Sequence, residues 1–76
     1  NEDSRLAKQV LATRFPTVEA YATQYDSIQV RIIDSRFAGK NRVQREKMVL
    51  PLIHKLPEDV QSQIIVLLLF VPGEED

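Results

Sequence analysis

The chain has no cysteine. That absence excludes a disulfide framework, a thiolate zinc site, a thiol nucleophile and a cysteine-bound iron–sulfur cluster. Its one histidine cannot form a zinc site alone. Long apolar runs are also missing. The longest, Ile64 to Val71, falls far short of the ~20 residues that a membrane-spanning helix needs. There is no Gly-rich phosphate loop, no HExxH pair and no nucleophile elbow. The paired acids Glu58-Asp59 and Glu74-Glu75 fall at a helix start and in a tail, where capping and solvation account for them. A chain of 76 residues offers at best a shallow pocket. Neither enzymatic activity nor a resident cofactor or metal is expected. Asn1, Glu2, Asp3 and Ser4 are polar or acidic, unlike a signal or transit peptide. A cytoplasmic location is the expectation, with an organelle left open.

What is present suits one small domain over residues 1–76, with residues 1–3 and 73–76 expected as flexible ends. Apolar residues make up 43% and charged residues 28%, too apolar a balance for a disordered chain. A domain this size buries only ~60% of the surface that its unfolded form exposes, so its core is marginal. The net charge of −1 hides an uneven spread. Glu2, Asp3, Glu74, Glu75 and Asp76 place acid at both ends, leaving ten bases against six acids between them. From Arg31 to Lys47 the bases are Arg31, Arg36, Lys40, Arg42, Arg45 and Lys47, against Asp34 and Glu46. This stretch reads either as a solvated face or as a footprint for nucleic acid or an acidic protein.

Ser4 can cap a first helix that carries Leu6, Val10, Leu11 and Phe15 on one side, and Pro16 ends it. Thr17 to Tyr25 reads as a strand, Asp26-Ser27 as a tight turn, and Ile28 to Ile33 as a half-buried strand completing a hairpin. Gly39 suits a loop, and Asn41 with Gln44 forms a capping box. The second helix directs Val43, Val49, Leu50, Ile53 and Leu56 to the core, with a kink or a restart at Pro51. Pro57 with Glu58 and Asp59 opens a third helix. Ile64 to Val71 is the last strand, and Pro72-Gly73 ends it. The order is α-β-β-α-α-β. A right-handed crossover sets the last strand parallel to the second, giving a three-stranded mixed α/β (α+β) sheet with helices on one face.

Arg36-Phe37-Ala38-Gly39 followed by Val43-Gln44-Arg45-Glu46-Lys47-Met48-Val49 resembles the hallmark of the BolA-like family: Arg-Phe-x-Gly, then a Val-x-Arg-x-x-Met-Val helix. Phe70-Val71-Pro72-Gly73-Glu74-Glu75 is similar to that family's closing segment. The resemblance implies a class II KH-like fold and a non-enzymatic protein. It also implies association with a monothiol glutaredoxin around a shared [2Fe–2S] cluster, or DNA binding as a transcriptional regulator. The family's cluster histidine aligns with Gln63. The first hairpin loop, Tyr25-Asp26-Ser27, has neither His nor Cys, and His54 matches no family ligand. These departures weaken cluster ligation and leave the fold untouched.

Two function classes follow. One is an accessory or regulatory protein that acts by protein contact. The other is a nucleic-acid binder using Arg36, Lys40, Arg42, Arg45 and Lys47. Against the second, the loop Gly39-Lys40-Asn41-Arg42 has only the first glycine of a Gly-x-x-Gly clamp. Stacking candidates are few: Tyr21, Tyr25, Phe37 and Phe70. The last strand is apolar throughout, including positions that should face water. Either it is a central strand partly covered by the N-terminal segment, or Leu67, Leu68, Leu69 and Phe70 mark a surface for self-association or another protein.

Overall fold

The computed structural model describes residues 1–75, and the chain runs through three α-helices, three strands and a short 3-10 turn. Helix α1 (Glu2–Ala12) starts from Asn1. The Asn1 side chain accepts from the Ser4 backbone N–H, and the Ser4 hydroxyl oxygen accepts in return from the Asn1 ammonium. This corrects the expectation for Ser4. It stands inside the first turn as the answering partner of the capping box, because Asn1 also has a side-chain oxygen and lies three residues earlier. Ser4, Ala7 and Leu11 form the buried stripe of α1, while Leu6 and Val10 flank it half-buried.

Strand β1 (Val18–Ala22) is shorter than the Thr17–Tyr25 expectation. Thr23 to Ser27 form the turn instead: the Thr23 N–H bonds the Ser27 carbonyl at 2.8 Å, their hydroxyls meet, and Asp26 takes a φ of 57°. Strand β2 (Ile28–Ile33) alternates strictly, with Ile28, Val30 and Ile32 buried and Gln29, Arg31 and Ile33 half-buried on the other face. After the 3-10 turn Ser35–Phe37, Gly39 takes a φ of 73°, a left-handed conformation that costs glycine little. Asn41 then caps α2 (Arg42–Ile53), with the Asn41–Gln44 box formed in both directions at 2.9 Å.

Helix α2 runs through Pro51 without restarting, contrary to one expectation. The proline sits in the final turn, so the hydrogen bond that it forfeits lies near a helix end. Val43 and Leu50 do not reach the core; they are 58% and 37% exposed. Val49, Leu52 and Ile53 are the buried side of α2. Those three are set by tertiary contacts, and a twelve-residue helix with more than one apolar stripe cannot bury them all. Pro57 caps α3 (Glu58–Gln63), which runs directly into β3 (Ile64–Phe70).

The sheet order is β1-β2-β3, so β3 is an edge strand and not a central one. Strands β1 and β2 are antiparallel, with Val18 opposite Ile32 and Ala22 opposite Ile28. Strands β2 and β3 are parallel, with Val30 opposite Leu67 and Ile33 opposite Phe70. The core joins one face of the sheet (Val18, Ile28, Val30, Ile32, Leu69) to Ala7, Leu11, Leu52, Ile53, Leu56 and Val60 from the helices. Phe15 and Phe37 close one end, their ring centroids 5.7 Å apart. Burying side chains of this size contributes about 1.5–3 kcal/mol each. Among the described residues, no helix covers the other face of the sheet. Its rows Glu19–Arg31–Leu68 and Gln29–Val66 mix polar and apolar groups.

Candidate functional site

The cations from Arg36 to Lys47 separate into two kinds. Arg36 turns inward along the chain. Its Nε and Nη2 donate to the Asp34 carboxylate at 2.9 and 2.8 Å, and Nη2 also donates to the Arg14 carbonyl at 2.6 Å. Its guanidinium carbon lies 4.8 Å from the centroid of the Phe15 ring. Asp34 in turn accepts from the Arg36 backbone N–H. The hydrogen-bonded guanidinium holds the Asp34 carboxyl below its usual range. Arg36 therefore staples the end of β2 to the end of α1.

Arg45 is similarly committed. Its Nε donates to the Lys40 carbonyl and its Nη1 to the Leu69 carbonyl, both at 2.9 Å. Nη1 and Nη2 also grip the Glu74 carboxylate at 2.7 and 3.3 Å, a two-pronged arrangement that suits a planar guanidinium. Glu74 Oε1 accepts from the Val71 N–H at 2.8 Å. Arg45 lowers the Glu74 pKa, with the Val71 N–H adding to the effect. The Pro72-Gly73 turn makes this reach feasible: Gly73 has a φ of 97°, and the Glu74 N–H bonds back to the Val71 carbonyl.

Lys40, Arg42 and Lys47 are the cations left facing water. Arg42 has only a loose contact to Glu46 at 3.6 Å, and its side chain is 83% exposed. Among the described residues Lys40 and Lys47 have no ion-pair partner. All three lie around the first turns of α2, and of them Arg42 alone lines, with Arg45, a groove of about 500 Å³ along β3. The basic stretch read from the sequence is thus split. Arg36 and Arg45 serve the fold, and the remainder stay exposed around the start of α2. The role of Glu74 was not foreseen. The acidic tail after a Pro-Gly turn, opposite a helix arginine, is the pattern that carries it.

The groove continues along β3 past Arg42, Glu46, Leu50, His54, Ile65 and Leu67. Leu67 and Leu69 face the helices, with Leu69 buried, while Val66, Leu68 and Phe70 lie half-buried on the uncovered face. The candidate self-association residues therefore divide between the two faces. Of the stacking candidates, Phe37 is buried and Phe70 half-buried, while Tyr21 and Tyr25 are exposed on or near the opposite strand.

The resemblance implies a [2Fe–2S] cluster, and the donor chemistry does not fit one. The Gln63 side-chain amide is spent on Asp3 Oδ2 at 2.8 Å and the Asp59 carbonyl at 3.1 Å. The first hairpin loop offers only hydroxyls and one carboxylate, and His54 stands at the C-terminal cap of α2. Iron–sulfur clusters are held by thiolate or imidazole, and neither is gathered here.

No protein-family model matches the chain, and no curated protein matches it. Among solved structures, BolA1 from Arabidopsis thaliana is similar over all of this chain and 99% of its own, with a TM-score of 0.73 and 17% identity. At that identity the likeness is one of fold. The three helices and the mixed three-stranded sheet match it, and the chain has the BolA-like fold.

Proposed function

We propose that this chain is a non-enzymatic accessory or regulatory protein that acts by docking an acidic surface of a protein partner against Lys40, Arg42 and Lys47. The observation that carries this reading is the exposure of these cations around the start of α2, with Arg42 at the lip of a groove, while the neighbouring arginines are held by intrachain carboxylates. A fixed loop and helix start present the cations without the entropic cost of ordering a flexible segment. A monothiol glutaredoxin, in iron–sulfur or stress-related pathways, is the partner class that the BolA-like resemblance implies. Ligation of a cluster by this chain is not part of the proposal, for want of donors.

The test is co-purification and titration with a monothiol glutaredoxin. The expected result is a complex that weakens with salt and loses at least about tenfold in affinity when Lys40→Glu is combined with Arg42→Glu. The absorbance of a cluster-loaded glutaredoxin should stay unchanged on mixing. Binding that ignores both salt and charge reversal would overturn the docking surface. The alternative is a small nucleic-acid-binding transcriptional regulator. It rests on the same cations and the Gly39-Lys40-Asn41-Arg42 loop, but without Arg36 and Arg45. Salt-dependent DNA or RNA binding abolished by the same double variant, with no protein complex, would favour it.

A further inference from the structure

A carboxylate already sits at the cationic end of the groove between α2 and β3, and it belongs to the chain's own tail. Past the Pro72-Gly73 turn, the Glu74 side chain folds back over the end of β3. It accepts from Arg45 by two prongs and from the Val71 N–H. Arg45 gives a further N–H to the Leu69 carbonyl. The pair thus forms a plug over the Leu69 carbonyl and the Val71 N–H.

The two halves of the plug are held differently. Arg45 is anchored without Glu74, because the Lys40 and Leu69 carbonyls fix its guanidinium from two elements, and its side chain is only 15% exposed. The Glu74 side chain is 42% exposed and lies in the tail. When Glu74 leaves, the guanidinium keeps its place, its two prongs face the groove, and the Val71 N–H is returned to water. A fixed guanidinium is a pre-organised acceptor of any carboxylate that can reach it. Arg42 lines the same end of the groove, exposed, with a loose 3.6 Å contact to Glu46. Further along, Leu50, Ile65 and Leu67 make the lining mainly apolar, and Leu50 and Ile65 are exposed.

We infer that this groove takes an extended acidic segment of a protein partner, whose carboxylate replaces Glu74 on Arg45 and whose apolar side chains cover Leu50 and Ile65. The segment belongs to the acidic partner proposed above, and the groove rests on that proposal for its occupant. A carboxylate is the group that Arg45 holds in the structure. A nucleic-acid phosphate would satisfy Arg42 and Arg45 as well, but a phosphodiester chain leaves the apolar half uncovered. Glu74 is then a tethered competitor. One exposed ion pair holds it weakly, while the tether keeps it at an effective concentration of about millimolar, so it weakens the partner's binding without forbidding it.

The probes are capped peptides that join a short glutamate block to a short leucine block, in both orders, titrated into the full chain. One order or both should bind, more weakly as salt rises, more tightly than glutamates alone, and not at all with glutamine in place of glutamate. Glu74→Ala should tighten binding by at least about threefold. Glu75→Ala removes the same charge, but that carboxylate accepts from the Gly73 N–H and from no cation, so it should change the affinity much less. At saturation with peptide, hydrogen exchange of the Val71 N–H should speed up in the parent, since Glu74 has left it. Glu74→Gln keeps the acceptor and serves if the alanine variant unfolds; it too should tighten binding, by less.

Equal gains from Glu74→Ala and Glu75→Ala would reduce the tail to general repulsion. An unchanged Val71 exchange rate at saturation would place the peptide elsewhere. Glutamates alone binding as tightly as the mixed peptides would remove the apolar half. Binding of a DNA or RNA oligonucleotide with no binding of peptide, even to Glu74→Ala, would give the arginines to phosphate. Each of these overturns the inference. The partner surface fails separately. Lys40→Glu with Lys47→Glu changes cations outside the groove. A glutaredoxin complex that ignores this pair but tightens with Glu74→Ala supports the groove and overturns the wider surface. A complex lost with the pair but indifferent to Glu74→Ala keeps the surface and overturns the groove.

Discussion

The two edges of this sheet are protected in different ways. At the β1 edge, the strand is short, Glu19 and Tyr21 face outward, and Lys8 of α1 reaches Glu19 at 3.4 Å. Charge and brevity keep that edge from pairing further. At the β3 edge, every residue from Ile64 to Phe70 is apolar, and protection comes from one ion pair at one end and a break in the ladder register at Ile65 near the other. The lesson is that an edge strand can lack charged residues of its own when a helix arginine and a tail glutamate supply the missing hydrogen bonds. That device covers only as much edge as the two side chains reach.

The sharpest test of the difference is packing. Leu69 fixes β3 from beneath and Val18 fixes β1, at 8% and 4% exposure. Leu69→Ala should destabilise the fold by about 2–5 kcal/mol through lost burial and the cavity left behind. Val18→Ala removes fewer methyl groups and should cost about 2 kcal/mol. Denaturant unfolding of the two variants measures both. If they cost the same, the β3 edge does not depend on its core contact more than the β1 edge does.

Much of this contrast was legible in the residues. The strict alternation of Ile28 to Ile33 gave away β2, and Asn41 with Gln44 marked the start of α2 to the residue. The parallel crossover followed from chain handedness alone. What stayed hidden depended on tertiary contacts. Val43, Val49, Leu50 and Ile53 are all apolar, and only the packed sheet decides that Val49 and Ile53 turn in. Asn1 and Ser4 can each cap a helix, and the structure uses both in one box. Arg36 and Arg45 looked like members of a basic patch because the chain order does not show that Asp34 and Glu74 pair with them, and because their other acceptors, the Arg14, Lys40 and Leu69 carbonyls, are backbone atoms that composition does not count.

The next effect in size lies at the helix that walls the β3 edge. Asn41→Ala removes the acceptor for the Gln44 N–H and should cost about 1 kcal/mol, whereas Asn41→Gly should cost a few tenths, since glycine is itself a good cap. Asn1→Ala at α1, beside the β1 edge, should lie in the same range. Thermal unfolding of the three variants compares them. An alanine variant at position 41 as stable as the parent would mean that the Arg45 contacts alone hold the first turn of α2.

The smallest effect separates the edges by pH. Glu74 and Asp34 both have pKa values lowered in the folded protein, chiefly by the hydrogen-bonded guanidiniums of Arg45 and Arg36. A carboxyl with a depressed folded pKa binds fewer protons when folded than when unfolded. The stability that it contributes is therefore complete above its unfolded pKa and is lost as pH falls through the folded one. Both pairs are partly open to water, so the loss is gentler than either truncation above. It should appear only below the ordinary carboxylate range, as a falling denaturation midpoint. Glu74→Gln should flatten part of that slope, because the amide accepts from Arg45 and Val71 without titrating. The same protonation loosens the plug over Leu69 and Val71, which lengthens the open part of the β3 edge and leaves β1 untouched. Light scattering of the parent should thus rise as pH falls into that window, and Glu74→Gln should blunt the rise. An acid response identical in parent and variant would place the titrating group elsewhere and leave the plug without a part in guarding the edge.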